Sequence, residues 1–200
     1  WKSERKATVP SVVASRASAA SYLTAPDAPL GGFDAYPRVG KLRGVKFVGG
    51  YRDYVIERGG LAVFPRLVAA DHQNRCEPGV LLSGVPELDR LLGDGIDRGT
   101  STLLLGPAGV GKSAISTRYA LSAAERGEHV AMFHFDEHIT TMHTRSAGLG
   151  MDLSSHLQSG RISVQQIDPA EMSPGEFIRL VQRHVEERSA RVVVIDSING

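Results

Sequence analysis

Apolar and polar positions change their spacing three times along the chain. Residues 7 to 40, rich in Ala, Ser, Pro and Gly, sustain neither a helical nor an alternating period and carry no assignment. From Lys41 short apolar runs alternate with glycines: KLRGVKF, then Gly49-Gly50, then YRDYVIE, then Gly59-Gly60, then LAVFPRLV. Such runs predict strands joined by tight turns. The polar stretch at 71 to 79, ending in Pro78-Gly79, reads as a linker, and a second domain should begin near Val80.

Beyond the linker the period switches between strand and helix. Ser101 to Leu105 is a short apolar run that predicts a strand. Lys112 to Arg126 places Ile115, Tyr119 and Ala123 on one helical face and stops at Gly127, a residue suited to a C-terminal cap. His129 to Phe135 reads as a strand again, so the three segments predict a βαβ unit. Ser173-Pro174-Gly175-Glu176 has the form of a capping box with proline at the first helical position. The helix it opens should bury Phe177, Ile178, Val181 and Val185 and end near Arg188. The run at 191 to 195, RVVVI, has the β-branched character of a parallel strand covered on both faces.

The 200-residue composition, 42% hydrophobic and 22% charged, is that of an ordinary globular chain and excludes collagen-like, low-complexity and disulfide-scaffold classes. No window approaches a membrane span, and the charged first residues do not form a signal-peptide core. The single cysteine, Cys76, can form neither an internal disulfide nor a multi-cysteine metal site, so a cytoplasmic setting is expected. The net charge of +1 divides unevenly: residues 1 to 75 hold 12 Lys and Arg against 6 Asp and Glu, residues 76 to 200 hold 11 against 16. The basic residues of the first part are dispersed, without aromatic interleaving, so a solvated surface is favoured over a nucleic-acid partner. The chain opens on Trp1 and stops directly after the run at 191 to 195, so it is expected to be a fragment that folds poorly alone.

The chemistry concentrates in the second part. Gly106-Pro107-Ala108-Gly109-Val110-Gly111-Lys112-Ser113 fits G-x-x-x-x-G-K-[ST], in which glycines let successive backbone N–H groups turn around phosphate oxygens. Chance yields this pattern in roughly one chain in a hundred of this size, and its place between a predicted strand and a predicted helix lowers that further. Lys112 is the only lysine after residue 75, where every other basic residue is arginine. A compact ammonium in the loop suits the β- and γ-phosphates of a nucleotide. Magnesium would then be shared by the Ser113 hydroxyl and an acid at a neighbouring strand end, a role that Asp196 fits. Asp136-Glu137 ends the strand beginning at His129, at the sheet edge where ligands bind, and either carboxylate could prepare the nucleophile. His129, His134, His138 and His143 read as surface or core residues rather than metal ligands.

These residues resemble the KaiC family of RecA-like ATPases. The resemblance spans SGVPELDRLLGDGIDRGTSTLLLGPAGVGKS at 83 to 113, FHFDE at 133 to 137 and VVVIDS at 192 to 197. Gly84, Leu88, Asp89, Leu91, Leu92, Gly93, Gly95, Ile96 and Gly99 fit the family's lead-in to the phosphate loop. It implies an α/β fold, a RecA-like P-loop NTPase with a parallel central sheet, truncated here and preceded by the β-rich tail of an upstream domain. On that reading 41 to 70 end the upstream domain, 71 to 79 link, and 80 to 200 begin a second ATPase domain, with 1 to 40 unassigned. The resemblance also implies ATP and Mg2+ as ligands and a homo-oligomeric ring, a hexamer among its forms, with regulatory protein partners and no membrane. Lys41 and Arg43, in the KLR triplet, would act in trans on the upstream domain's site. Adjacent glutamates are common in the family where this chain has Asp136-Glu137. Serine/threonine autokinase activity stays open, because its acceptors would lie beyond Gly200. Two rivals also stay open: a DNA-dependent recombinase or helicase relative, and a scaffold gated by nucleotide with negligible hydrolysis.

Overall fold

A computed structural model of the chain describes residues 19–24, 36–42, 53–58, 60–64 and 78–197. The chain divides into two compact units, Trp1–Val68 with Ser173–Glu176, and Ala69–Met172 with Phe177–Gly200.

Among the described residues the first unit contains two antiparallel strand pairs. β1 (Ala19–Thr24) pairs with β2 (Tyr36–Leu42), and β3 (Asp53–Glu57) pairs with β4 (Gly60–Phe64), Glu57 standing opposite Gly60. The second pair follows the expected strand-turn-strand pattern. The first does not: β1 and most of β2 fall in the stretch whose composition carried no assignment. Their register contains an irregularity between Ala20 and Ser21, which breaks the period of two along the strand.

The second unit begins with β5 (Val80–Leu81), α1 (Pro86–Leu91) and β6 (Ile96–Asp97), β5 and β6 pairing antiparallel. Then follow α2 (Lys112–Glu125), β7 (His129–His134), α3 (Ile139–Gly148), α4 (Ser154–Gln158), β8 (Ile162–Gln166), α5 (Pro174–Glu186, of this unit from Phe177 onward) and β9 (Ala190–Asp196). The sheet is parallel, in the order β8-β7-β9, with His134 in register between Gln166 and Asp196. β7 is buried from Val130 to His134, and its alternate side chains feed two cores. Val130 and Met132 pack with Ala120, Leu121, Ala124 and Met142, from α2 and α3. Ala131 and Phe133 face the other way, toward Phe177, Leu180 and Val181 of α5. The Phe133 and Phe177 rings meet edge to face at 5.4 Å.

Two expectations are corrected. Ser101–Leu105 enters no ladder among the described residues, and Leu103 and Leu105 are 64% and 80% exposed. Among the described residues the predicted βαβ unit over 101 to 135 therefore lacks its first strand. Apolar composition gives strand tendency, whereas a strand exists only through paired backbone. In α5 the face packed against the second core is Phe177, Leu180 and Val181, half-buried, with His184 buried, while Ile178 and Val185 are exposed. The stripe is set by the direction in which Phe133 meets the helix, which periodicity alone leaves free. α2 buries Tyr119 and Ala123 of the expected face, with Ile115 half-buried, and burial extends through every residue from Tyr119 to Ala124, where the small side chains of Ala120, Ala123 and Ala124 let neighbouring elements close on the helix.

Helix ends follow their chemistry. Ser173 and Glu176 form both arms of the capping box, the Ser173 N–H donating to Glu176 Oε2 at 2.8 Å and the Glu176 N–H to Ser173 Oγ at 3.3 Å. α2 ends where Gly127 takes φ +91°, with its N–H on the Ala124 carbonyl and the Glu128 N–H on that of Ala123. No described helix is long and apolar enough to cross a membrane.

Candidate functional site

The predicted phosphate loop is the turn that starts α2. Gly111, directly before the helix, has φ +94°, a conformation that side chains with a Cβ rarely adopt. The loop therefore enters the helix with no residue between turn and first helical position, and the partial positive charge of the helix N-terminus faces the loop. Lys112 Nζ donates to the carbonyls of Gly106 and Pro107, both at 2.8 Å, which holds the ammonium over the loop. The Ser113 carbonyl receives hydroxyl bonds from Thr117 at 2.6 Å and Ser116 at 3.1 Å, anchoring the residue in the first turn.

A cleft of about 580 Å³ lies over this turn, lined by Ala108, Gly109, Lys112, Ser113, Asp136, Glu137, His138, Thr141, Asp196 and Ser197. Loop, β7 end and β9 end, separated by up to 88 residues of sequence, thus meet at one concave surface. Parallel pairing brings this about, because β7 and β9 run in the same direction and place their C-terminal ends side by side. Asp136, Glu137, Asp196, Ser113 and Lys112 all lie on the cleft, with Ala108 and Gly109 from the loop. Gly106, Pro107, Val110 and Gly111 complete the turn without lining it.

The two adjacent carboxylates differ. Asp136 is exposed and accepts a hydrogen bond from the Ser197 hydroxyl. Glu137 is gripped by Arg145, whose Nε donates to Oε1 at 3.0 Å and whose Nη2 donates to Oε2 at 2.7 Å. That two-point bond holds the Glu137 carboxyl below its ordinary range and keeps it ionised. His134, buried on β7, lies with Nδ1 3.9 Å from Asp196 Oδ2, and its burial pushes the ring toward the neutral form. His138 caps α3, its Nδ1 accepting the Thr140 N–H at 3.3 Å. The backbone N–H can only donate, so the neutral ring carries its proton on Nε2. The peptide between Asp196 and Ser197 is cis.

Arg145, Ser197, His138 and Thr141 escaped the sequence reading as site residues. Arg145 left a signal: it is the only Asp, Glu, Lys or Arg between Glu137 and Asp152. The others are common polar types with no distinguishing spacing. Of the two residues expected to act in trans, Lys41 falls in β2 of the first unit, opposite Ala20, and Arg43 lies outside the described residues. Cys76 also lies outside them. Among the described residues no group of three or more His, Cys, Asp or Glu is placed to hold a metal ion by itself.

The family model for the KaiC ATPase matches residues 81–200. The circadian clock oscillator protein KaiC of Picosynechococcus sp. is 23% identical over 160 residues, which cover 80% of this chain and 31% of the relative. The circadian clock protein KaiC2 of Synechocystis sp. is 26% identical over 165 residues, 82% of this chain and 29% of the relative. The DNA repair protein RadA of Brucella abortus is 31% identical over 87 residues, 44% of this chain and 19% of that protein. The chain thus spans just under a third of the length of the clock proteins it matches. The matched span contains the phosphate loop, both strand ends and the helices that carry them, so the chain belongs to the KaiC family of RecA-like ATPases.

Proposed function

We propose that the protein binds Mg-ATP over Gly106 to Ser113 and transfers its γ-phosphoryl group to water. The observation that carries this reading is the single cleft shared by Lys112, Ser113, Asp136, Glu137 and Asp196. Phosphoryl transfer needs little covalent help from protein and much placement of charge, and this cleft supplies a cation, a helix N-terminus and three carboxylates. Lys112 neutralises phosphate oxygens, and backbone N–H groups of the loop hold them. Ser113 and Asp196 offer the oxygen donors that a hard cation prefers, so they would hold magnesium. Bound there, the ion would offset phosphate charge as it develops. Asp136 or Glu137 would accept the proton of the attacking water or orient it.

Membership of the family supports a wider proposal. Ring assembly would make hydrolysis depend on a neighbouring subunit, with Lys41 and Arg43 as the trans-acting cations of an upstream site. Transfer to a protein hydroxyl instead of water would make the protein a serine/threonine autokinase.

The test is incubation of the protein with γ-labelled ATP and magnesium beside Lys112→Ala, following free phosphate and protein-bound label together. Free phosphate, lost in the variant, is the expected result. Label retained on the protein would add the autokinase activity, and undiminished ATP affinity in Lys112→Ala would overturn the assignment. The likeness to RadA favours a second reading, DNA-dependent turnover. A rate unchanged by added single-stranded DNA would remove it.

A further inference from the structure

The two carboxylates at the end of β7 stand in different mechanical states. Asp136 is exposed, with a single serine hydroxyl on Oδ2. Glu137 has both oxygens taken by one guanidinium, and the side chains of the pair are only 24% and 29% exposed. Arg145 sits in the second turn of α3, and its remaining nitrogen, Nη1, is buried with no hydrogen-bond partner among the described residues. A planar two-point bond fixes a carboxylate in rotation as well as position, which a lysine ammonium cannot do. Both exposed ends of surface ion pairs usually wander; this pair is half enclosed and joins a helix to a strand end.

Resting on the ATPase reading above, we infer that Arg145 is a positioning residue for hydrolysis: its grip fixes Glu137 at the cleft wall and ties α3 to the strand end that carries both carboxylates. The end of β7 then presents to a bound nucleotide one carboxylate held at both oxygens, Glu137, and one held by a single hydroxyl, Asp136. A carboxylate displaced by about 1 Å from its working position can cost up to about a hundredfold in rate without changing how tightly substrate binds. Arg145 would thus act on turnover through Glu137 without touching nucleotide.

The experiment compares the intact protein with Arg145→Lys, Arg145→Gln, Glu137→Gln and the Arg145→Gln/Glu137→Gln double variant. It measures kcat, ATP affinity with a fluorescent analogue, and the thermal midpoint of each. Arg145→Gln should lower kcat about tenfold or more while ATP affinity stays within about twofold. Arg145→Lys should fail to restore the rate, since one ammonium cannot take both oxygens. The double variant should lose no more than the worse single variant, because both changes break the same contact. Wild-type kcat in Arg145→Gln or Arg145→Lys would overturn the inference, as would losses that multiply in the double variant. A fall in kcat matched by equal falls in affinity and midpoint would reduce Arg145 to a structural pair and overturn it too. Wild-type protein that binds ATP without turning it over would instead refute the hydrolysis reading, and this inference with it.

Discussion

His184 shows how a single residue's environment becomes a property of the whole fold. It is buried on α5, its Nδ1 3.2 Å from the Ser163 hydroxyl and its ring edge-on to Phe133 at 5.4 Å. Burial, with Arg188 and Arg183 nearby and Glu187 opposing them, favours the neutral ring and lowers its proton affinity below the ordinary value of about 6.5. His134 is shifted the same way by its own burial. The unfolded chain therefore binds more protons than the folded chain over the window between the two affinities, and stability rises with pH there. Folding should be fully supported above about pH 6.5 and lose stability as pH falls through the lowered values. Urea melts at pH 7.5 and 5.5 should show a lower midpoint in acid, and His184→Gln should shrink that difference. An unchanged difference in the variant would show that His184 does not carry it. The residue was not singled out in sequence because its partner, Ser163, comes from a strand 21 residues away.

Elements are placed by the faces they share. β7 reads in sequence as a nearly continuous apolar run, and in the structure it is buried on both sides, as such a run requires. Phe133 is the largest side chain buried there and meets two rings of α5. Phe133→Ala should cost about 3–5 kcal/mol, the transfer of a phenyl group plus the cavity it leaves. Ile178→Ala, on the exposed side of α5, should stay within about 0.5 kcal/mol. Denaturant melts of the two variants would separate the stripe seen in the structure from the one expected from periodicity, which placed Ile178 inside. Equal losses would restore the expected stripe. The ends of α2 and α5 needed no such arbitration, since capping box, glycine stop and phosphate loop are chemistry local to a few residues.

At the scale of the molecule, the cleft draws on three stretches of one unit that only a parallel sheet brings together. The proposed ring adds a test of its own. If neighbouring subunits complete the upstream site, turnover there in a protein that carries the whole upstream domain should fall on dilution through the assembly range, and Lys41→Ala or Arg43→Ala should lower it without weakening nucleotide binding to the loop at 106 to 113. A rate per chain independent of both concentration and these substitutions would leave each subunit self-sufficient.

The residue pattern by itself determined the glycine-rich turn at 106 to 113, the helix that follows it, the capping box and the identity of the acids at two strand ends. Each of these is specified by contacts within about eight residues, so its physics is written in local order. Tertiary structure decided the rest. It left Ser101–Leu105 without a ladder among the described residues despite its strand-like composition, and it turned α5 to pack Leu180 against the core and bury His184 while Ile178 and Val185 stay exposed. It also assigned Arg145 to Glu137 and Ser197 to Asp136, making two adjacent acids unlike. Pairing of backbone and of charge depends on partners distant in the chain, and a one-dimensional pattern records the groups that can pair but not the ones that meet.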